Sequence, residues 1–109
     1  MVMNEDVILK NEKMNDKKTI HLYFNSEIGL YVAYGISAFY VTHIINAMAS
    51  YSEDLQLPVV LMRKKEVSEL RLATIKKQHD YHRYYHLELK HVLGLDGYNR
   101  WVDSVKWEN

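Results

Sequence analysis

Hydrophobic and polar positions alternate by two rules along this chain, and the change between them occurs inside one uncharged run. Between Glu27 and Glu53, 25 consecutive residues, Ile28 to Ser52, contain no Asp, Glu, Lys or Arg. In its first part Ile28, Leu30, Val32 and Tyr34 alternate with Gly29, Tyr31 and Ala33. That is a period-2 segment rich in β-branched and aromatic residues, and its two apolar faces suit a strand covered on both sides. After Gly35 the period becomes helical. Ile36, Phe39, Tyr40, His43, Ile44, Ala47 and Met48 form one stripe, with Ser37, Thr42, Asn46 and Ser50 largely off it. The spacing predicts a helix from about Ile36 to Ala49. The run is long enough to cross a bilayer, for which about 20 apolar residues suffice. Its polar side, with His43 and Asn46 close together, argues against lipid on all sides.

The same pattern reading extends outward. Thr19 to Phe24 predicts a strand, with Ile20, Leu22 and Phe24 alternating against His21 and Tyr23, and Asn25-Ser26-Glu27 a turn. Ser50 to Gln56 reads as a polar loop. Leu57 to Met62 is a short apolar run whose Pro58 is tolerable at the start of a strand. From Lys64 or Lys65 a helix is expected, with Val67, Leu70, Leu72 and Ile75 inward. Its rhythm fails near Lys76–Asp80. A separate helix from His79 to Leu93, capped by Gly94, is expected next. Leu95-Asp96-Gly97 gives a turn, and Tyr98 to Trp107 a last short helix or extended tail. The order β-β-α-β-α-α predicts a small α/β domain over residues 19–109. Its sheet would be mixed, of three or four strands, with covering helices and a parallel crossover through the Ile36 helix. Residues 1–18 hold only Val7-Ile8-Leu9 as an apolar cluster and are expected to be a flexible leader, within which Met14 offers an alternative start.

One family shares part of this pattern. The succession Tyr23-Phe24, then Gly29-Leu30-Tyr31-Val32-Ala33-Tyr34-Gly35-Ile36-Ser37-Ala38, resembles the start of the N-terminal mismatch-recognition domain of bacterial MutS. Leu57-Pro58-Val59-Val60 followed by Val67-Ser68-Glu69-Leu70 resembles that domain's next strand and helix, so the similarity runs from Ile20 to Lys77. The resemblance implies a common fold. It does not carry mismatch reading with it. The family's Phe-x-Glu falls on Leu30 and Val32, and its acidic pair on Ile36-Ser37.

Composition narrows the function. There is no cysteine, which removes disulfides, thiolate catalysis and Cys-based zinc sites and is compatible with a reducing compartment. Without a secretory h-region at the start, the expected location is cytoplasmic. Net charge is zero, from 14 basic and 14 acidic residues, so no global field draws the chain to nucleic acid or membrane. Locally, residues 63–91 carry eight Lys/Arg against four acids, together with His79, His82, His86 and His91.

Candidate chemistry concentrates there. On a helix, His82 and His86 would stand at i and i+4, with His79 one turn before, a spacing compatible with a shared metal. No Cys or carboxylate completes a ligand set, and the residues predict no metal and no cofactor. Tyr81, Tyr84 and Tyr85 interleaved with Arg83 mix rings and cations, as single-strand binders do. No nucleophile elbow, P-loop or dinucleotide motif occurs, so no enzymatic activity and no small-molecule substrate are expected. His43 reads as a core histidine bonded to a neighbour. The expectation is a non-enzymatic module that binds a protein partner or itself, through Tyr81, Tyr85, Trp101 and Trp107. The alternative is a nucleic-acid-binding accessory protein, with Arg71, Lys76, Lys77, Arg83 and Tyr84 on the contact face.

Overall fold

A computed structural model describes residues 5–72, 74–75, 84–92 and 94–108. Its elements in chain order are helix α1 (Glu5–Lys13), strands β1 (Thr19–Asn25) and β2 (Leu30–Tyr34), helix α2 (Gly35–Ile44), strands β3 (Ala49–Ser52) and β4 (Leu57–Met62), helix α3 (Lys64–Arg71), strands β5 (Thr74–Ile75) and β6 (Tyr84–Leu89), and helix α4 (Tyr98–Glu108). The strands form one sheet in the order β3-β4-β2-β1-β6-β5, and every neighbouring pair is antiparallel. Five strands have four or more residues, and the two-residue β5 closes one edge. The class is α/β as expected, but the mixed sheet of three or four strands is not what forms. No helix is long and apolar enough to cross a membrane among the described residues.

The parallel crossover fails because α2 stops early. It ends at Ile44, Ile45 turns extended and donates its N–H to the Val41 carbonyl, and the chain then lays down β3 before β4. β3 and β4 form a hairpin whose turn includes Gln56 at a positive φ of 57°. The hairpin returns β4 against β2, pairing Tyr34 with Val59 and Tyr31 with Met62. The expected long Ile36–Ala49 helix and Ser50–Gln56 loop thus give up Ala49–Ser52 to a strand.

A second correction falls on 79–93. Its described part is a central strand, β6, instead of a helix. Tyr85, Leu87 and Leu89 share one face, while Tyr84, His86 and Glu88 share the other. That is a period of two in β-favouring residues, and His86 pairs with His21 across the ladder. Residues 79–83, with His79 and His82, lie outside the described residues. The preceding helix also closes at Arg71, and Thr74–Ile75 pair with β6.

One face of the sheet carries the main core. Ile20 and Leu22 of β1, Ala33 of β2, Val60 and Met62 of β4 and Leu87 and Leu89 of β6 pack with Ala38, Phe39 and Val41 of α2 and with Val67 and Leu70 of α3. Tyr98 and Trp101 dock α4 on Phe39, with ring centroids 5.3 and 5.2 Å away. The opposite face holds a smaller cluster in which Ile8 of α1 meets Tyr23 and Leu55, flanked by Tyr34, Leu57 and Tyr84. Nine of the eighteen residues of the segment expected to be a loose leader form α1, with Ile8 and Glu12 buried.

Candidate interaction surfaces

α1 is held by a buried carboxylate. The Ser37 N–H donates to Glu12 Oε1 at 2.9 Å, and the Ser37 hydroxyl donates to Oε2 at 2.6 Å. Ser37 Oγ in turn accepts the His21 N–H at 2.9 Å. The reason is local. β2 separates from β1 as α2 begins, and a serine in the first turn of α2 supplies the partner that the strand no longer offers. Glu12 occupies the position of an anion at a helix N-terminus, where free N–H groups favour negative charge. Burial dominates even so, and pushes its carboxyl up from 4.5 to about 7 against the opposing hydrogen bonds from Ser37 and Asn15. Gly35 opens α2 beside this carboxylate. Its φ is +55°, and a Cβ there would meet Glu12 Cγ and Leu57 Cδ2 at 3.4 Å.

Against α1 and β1 lies a cleft of about 290 Å³, lined by Lys10, Asn11, Met14, Asp16, Thr19, His21 and His86. The His21 and His86 rings stand 5.5 Å apart. His21 Nδ1 shares a short hydrogen bond with the Tyr84 hydroxyl, and the Thr19 hydroxyl donates to Asp16 at 2.8 Å. Burial, then the neighbouring His86, lowers the His21 imidazole from 6.5 to about 4. No group of three or more His, Asp or Glu is arranged to hold a metal among the described residues. Of the expected pair His82 and His86, His86 lies on a strand, and His82 lies outside the described residues.

On the other face, at the margin of the main core, three strands each contribute one ring. Phe24 of β1, Tyr31 of β2 and Tyr85 of β6 form a row, with centroid separations of 5.0 and 5.4 Å and tilts of 59° and 53°. The Arg71 guanidinium lies 5.5 Å from the Tyr85 centroid. All three rings are partly buried, and Arg71 is exposed.

A third feature lies where α4 meets the β3–β4 hairpin. A groove of about 260 Å³ is lined by Tyr51, Glu53, Gln56, Lys106 and Trp107. Lys106 Nζ sits 5.7 Å from the Tyr51 ring centroid, and Trp107 is 81% exposed.

The residues singled out by sequence are distributed among these places. Trp107 stands on the α4 surface, while Trp101 of the same expected interface is turned toward Phe39. Tyr85 belongs to the aromatic row and Tyr84 to the opposite face, hydrogen-bonded to His21. Arg71 covers Tyr85, and Lys76, Lys77, Tyr81 and Arg83 lie outside the described residues. His43 is exposed and not a core histidine, although its Nδ1 does bond a neighbour, the Phe39 carbonyl, at 2.8 Å. Glu12 gave no local signal, because one acid among lysines and asparagines looks solvated. Phe24 and Tyr31 were legible only as part of a strand with two apolar faces. Comparison with family models, with curated proteins and with solved structures returns no match, and the chain's resemblance to the mismatch-recognition domain gains no relative from them.

Proposed function

We propose that the protein is a non-enzymatic binding module that works through protein–protein contact, self-association included, with Trp107 as the anchor. The observation that carries this reading is the 81% exposure of that indole beside the groove formed with Tyr51, Gln56 and Lys106. Single exposed apolar residues are ordinary, but Trp is the residue most enriched among energetic anchors of interfaces. Here it adjoins a concave surface with both signs of charge, Glu53 and Lys106, so a partner finds an apolar centre and a polar rim. The non-enzymatic part is supported by the internal use of the candidate groups. The Ser37 hydroxyl is fully buried and its hydrogen bonds go to Glu12 and His21, so this buried trio serves the fold.

Trp107→Ala is expected to weaken self-association by about 30-fold, the factor corresponding to roughly 2 kcal/mol at an interface anchor. Indole emission recorded over a protein dilution series checks it. A blue shift at high concentration that disappears in Trp107→Ala supports the reading. Emission independent of concentration removes self-association.

A further inference from the structure

We propose that β3 is an open sheet edge on which a second copy of this chain pairs, antiparallel, about a two-fold axis at Ser50. This rests on the self-association reading above and gives it a geometry. β3 ends the sheet, with β4 as its one ladder partner among the described residues. Sheet edges are ordinarily protected by lysines, prolines or bulges. Ala49-Ser50-Tyr51-Ser52 has none of these, pairs without interruption, and closes the uncharged run that starts at Ile28. The opposite edge, β5, is only two residues long.

The ladder fixes which backbone groups face outward. His21 gives its N–H to Ser37 on the β2 side, while the Lys18 carbonyl accepts from Leu89 of β6. Successive residues of a strand turn to opposite neighbours, so Tyr23 bonds toward Val32, and Tyr31 toward Met62. Val60, like Met62, then faces β2, and Leu57 and Val59 face β3. Ser50 and Ser52 are thus the residues that bond β4, and Ala49 and Tyr51 turn their N–H and C=O groups to the open edge. Pro58 agrees with this, since it stands opposite Tyr51 and has no N–H to give.

These outward groups are self-complementary. Pairing Ala49 of each copy with Tyr51 of the other uses every one of them and sets Ser50 opposite itself, as a two-fold interface requires. So few hydrogen bonds hold little alone, and apolar contact beside them is needed. The two most exposed large hydrophobic side chains among the described residues flank this strand. Met48, 91% exposed, directly precedes it, and Trp107, 81% exposed, stands with Tyr51 and Glu53 at its other end. Antiparallel pairing exchanges the ends, so Met48 of each copy comes to the end of the other where Trp107 lies. The axis stands perpendicular to the sheet. Both α4 helices, which pack on the Ala49 and Tyr51 face, therefore stay on one side of the seam.

The test uses the full chain in sedimentation velocity. Ser50 is exposed, and Ser50→Lys or Ser50→Glu puts like charges opposite one another at the axis. Each should weaken self-association by about tenfold or more, and mixing the two should restore it. The chain has no cysteine, so Ser50→Cys gives a single thiol. Facing Cα atoms at such a pair are about 4.5 Å apart, so Ser50→Cys should form a covalent dimer in a glutathione redox buffer. Ser52→Cys, with its two thiols about 13 Å apart along the strands, should not. Thermal melts verify folding, and the near-isosteric Ser50→Cys decides if the charged variants do not fold. Association weakened by Trp107→Ala but untouched by Ser50→Lys overturns the pairing and leaves the Trp107 reading. Equal cross-linking of Ser50→Cys and Ser52→Cys overturns it too. A wild type that stays monomeric overturns both. Ser50 variants that behave as expected beside an unaffected Trp107→Ala support the pairing and remove Trp107 as its anchor.

Discussion

Ser37 is the residue on which two faces of the sheet depend. Its hydroxyl satisfies the His21 N–H and the Glu12 carboxylate together, in a site without solvent. Ser37→Ala removes one group and orphans two, so a loss of about 2–4 kcal/mol is expected in urea unfolding, since each buried unsatisfied group costs roughly 1–3 kcal/mol. The two titratable neighbours of Ser37 oppose one another. Glu12 is raised from 4.5 to about 7, so its folded state holds a proton that the unfolded chain releases, and stability falls as pH rises from 4.5 to 7. His21 is lowered from 6.5 to about 4, so stability falls as pH drops from 6.5 to 4. Each shift corresponds to about 3 kcal/mol, and between pH 4.5 and 6.5 the two nearly cancel. Relative to wild type, Glu12→Gln should expose the His21 loss on acidification, and His21→Phe the Glu12 loss on raising the pH. Urea midpoints between pH 4 and 7.5 decide it; parallel profiles for wild type and both variants would mean that the groups titrate normally.

At the scale of elements, α1 is the piece whose removal is most informative. Ile8 is its only fully buried apolar side chain among the described residues, and Ile8→Ala should cost about 2–5 kcal/mol. Loss of α1 also uncovers the cleft, so amides of α1 should exchange faster in this variant than those of β1. Uniform acceleration across the chain would show instead that α1 unfolds only with the whole. Gly35→Ala should destabilise as well, because φ +55° is a backbone conformation that an L side chain adopts only with strain. Several elements were readable from residue pattern. β1 and β2 follow their alternation and β4 its short apolar run, while Tyr98–Trp107, which the pattern leaves open between helix and tail, is α4. β6 departs from the helical expectation because Tyr84–Leu89 alternates every two residues, while His86 with His79 and His82 before it invites a period near four. β3 was missed because Ala-Ser-Tyr-Ser is short and polar, and becomes a strand only through its hairpin with β4. Neither Glu12 nor the aromatic row was legible, since each is assembled from residues that only the sheet brings together.

For the molecule as a whole, the antiparallel sheet separates three surfaces. α1 seals one face through Glu12, the aromatic row and α3 form the margin of the other, and α4 with the β3–β4 hairpin presents Trp107. A net charge of zero leaves long-range steering weak, so the binding proposed above rests on contact, with short-range charges at the rim. Contact through Trp107 is the central claim, and sedimentation velocity of the full chain and of Trp107→Ala across a wide concentration range tests it most directly. The account predicts a sedimentation coefficient that rises with concentration for wild type, and a rise displaced by about 30-fold in concentration for the variant. A wild-type chain that sediments as a monomer throughout, or a variant that associates as wild type does, would contradict it.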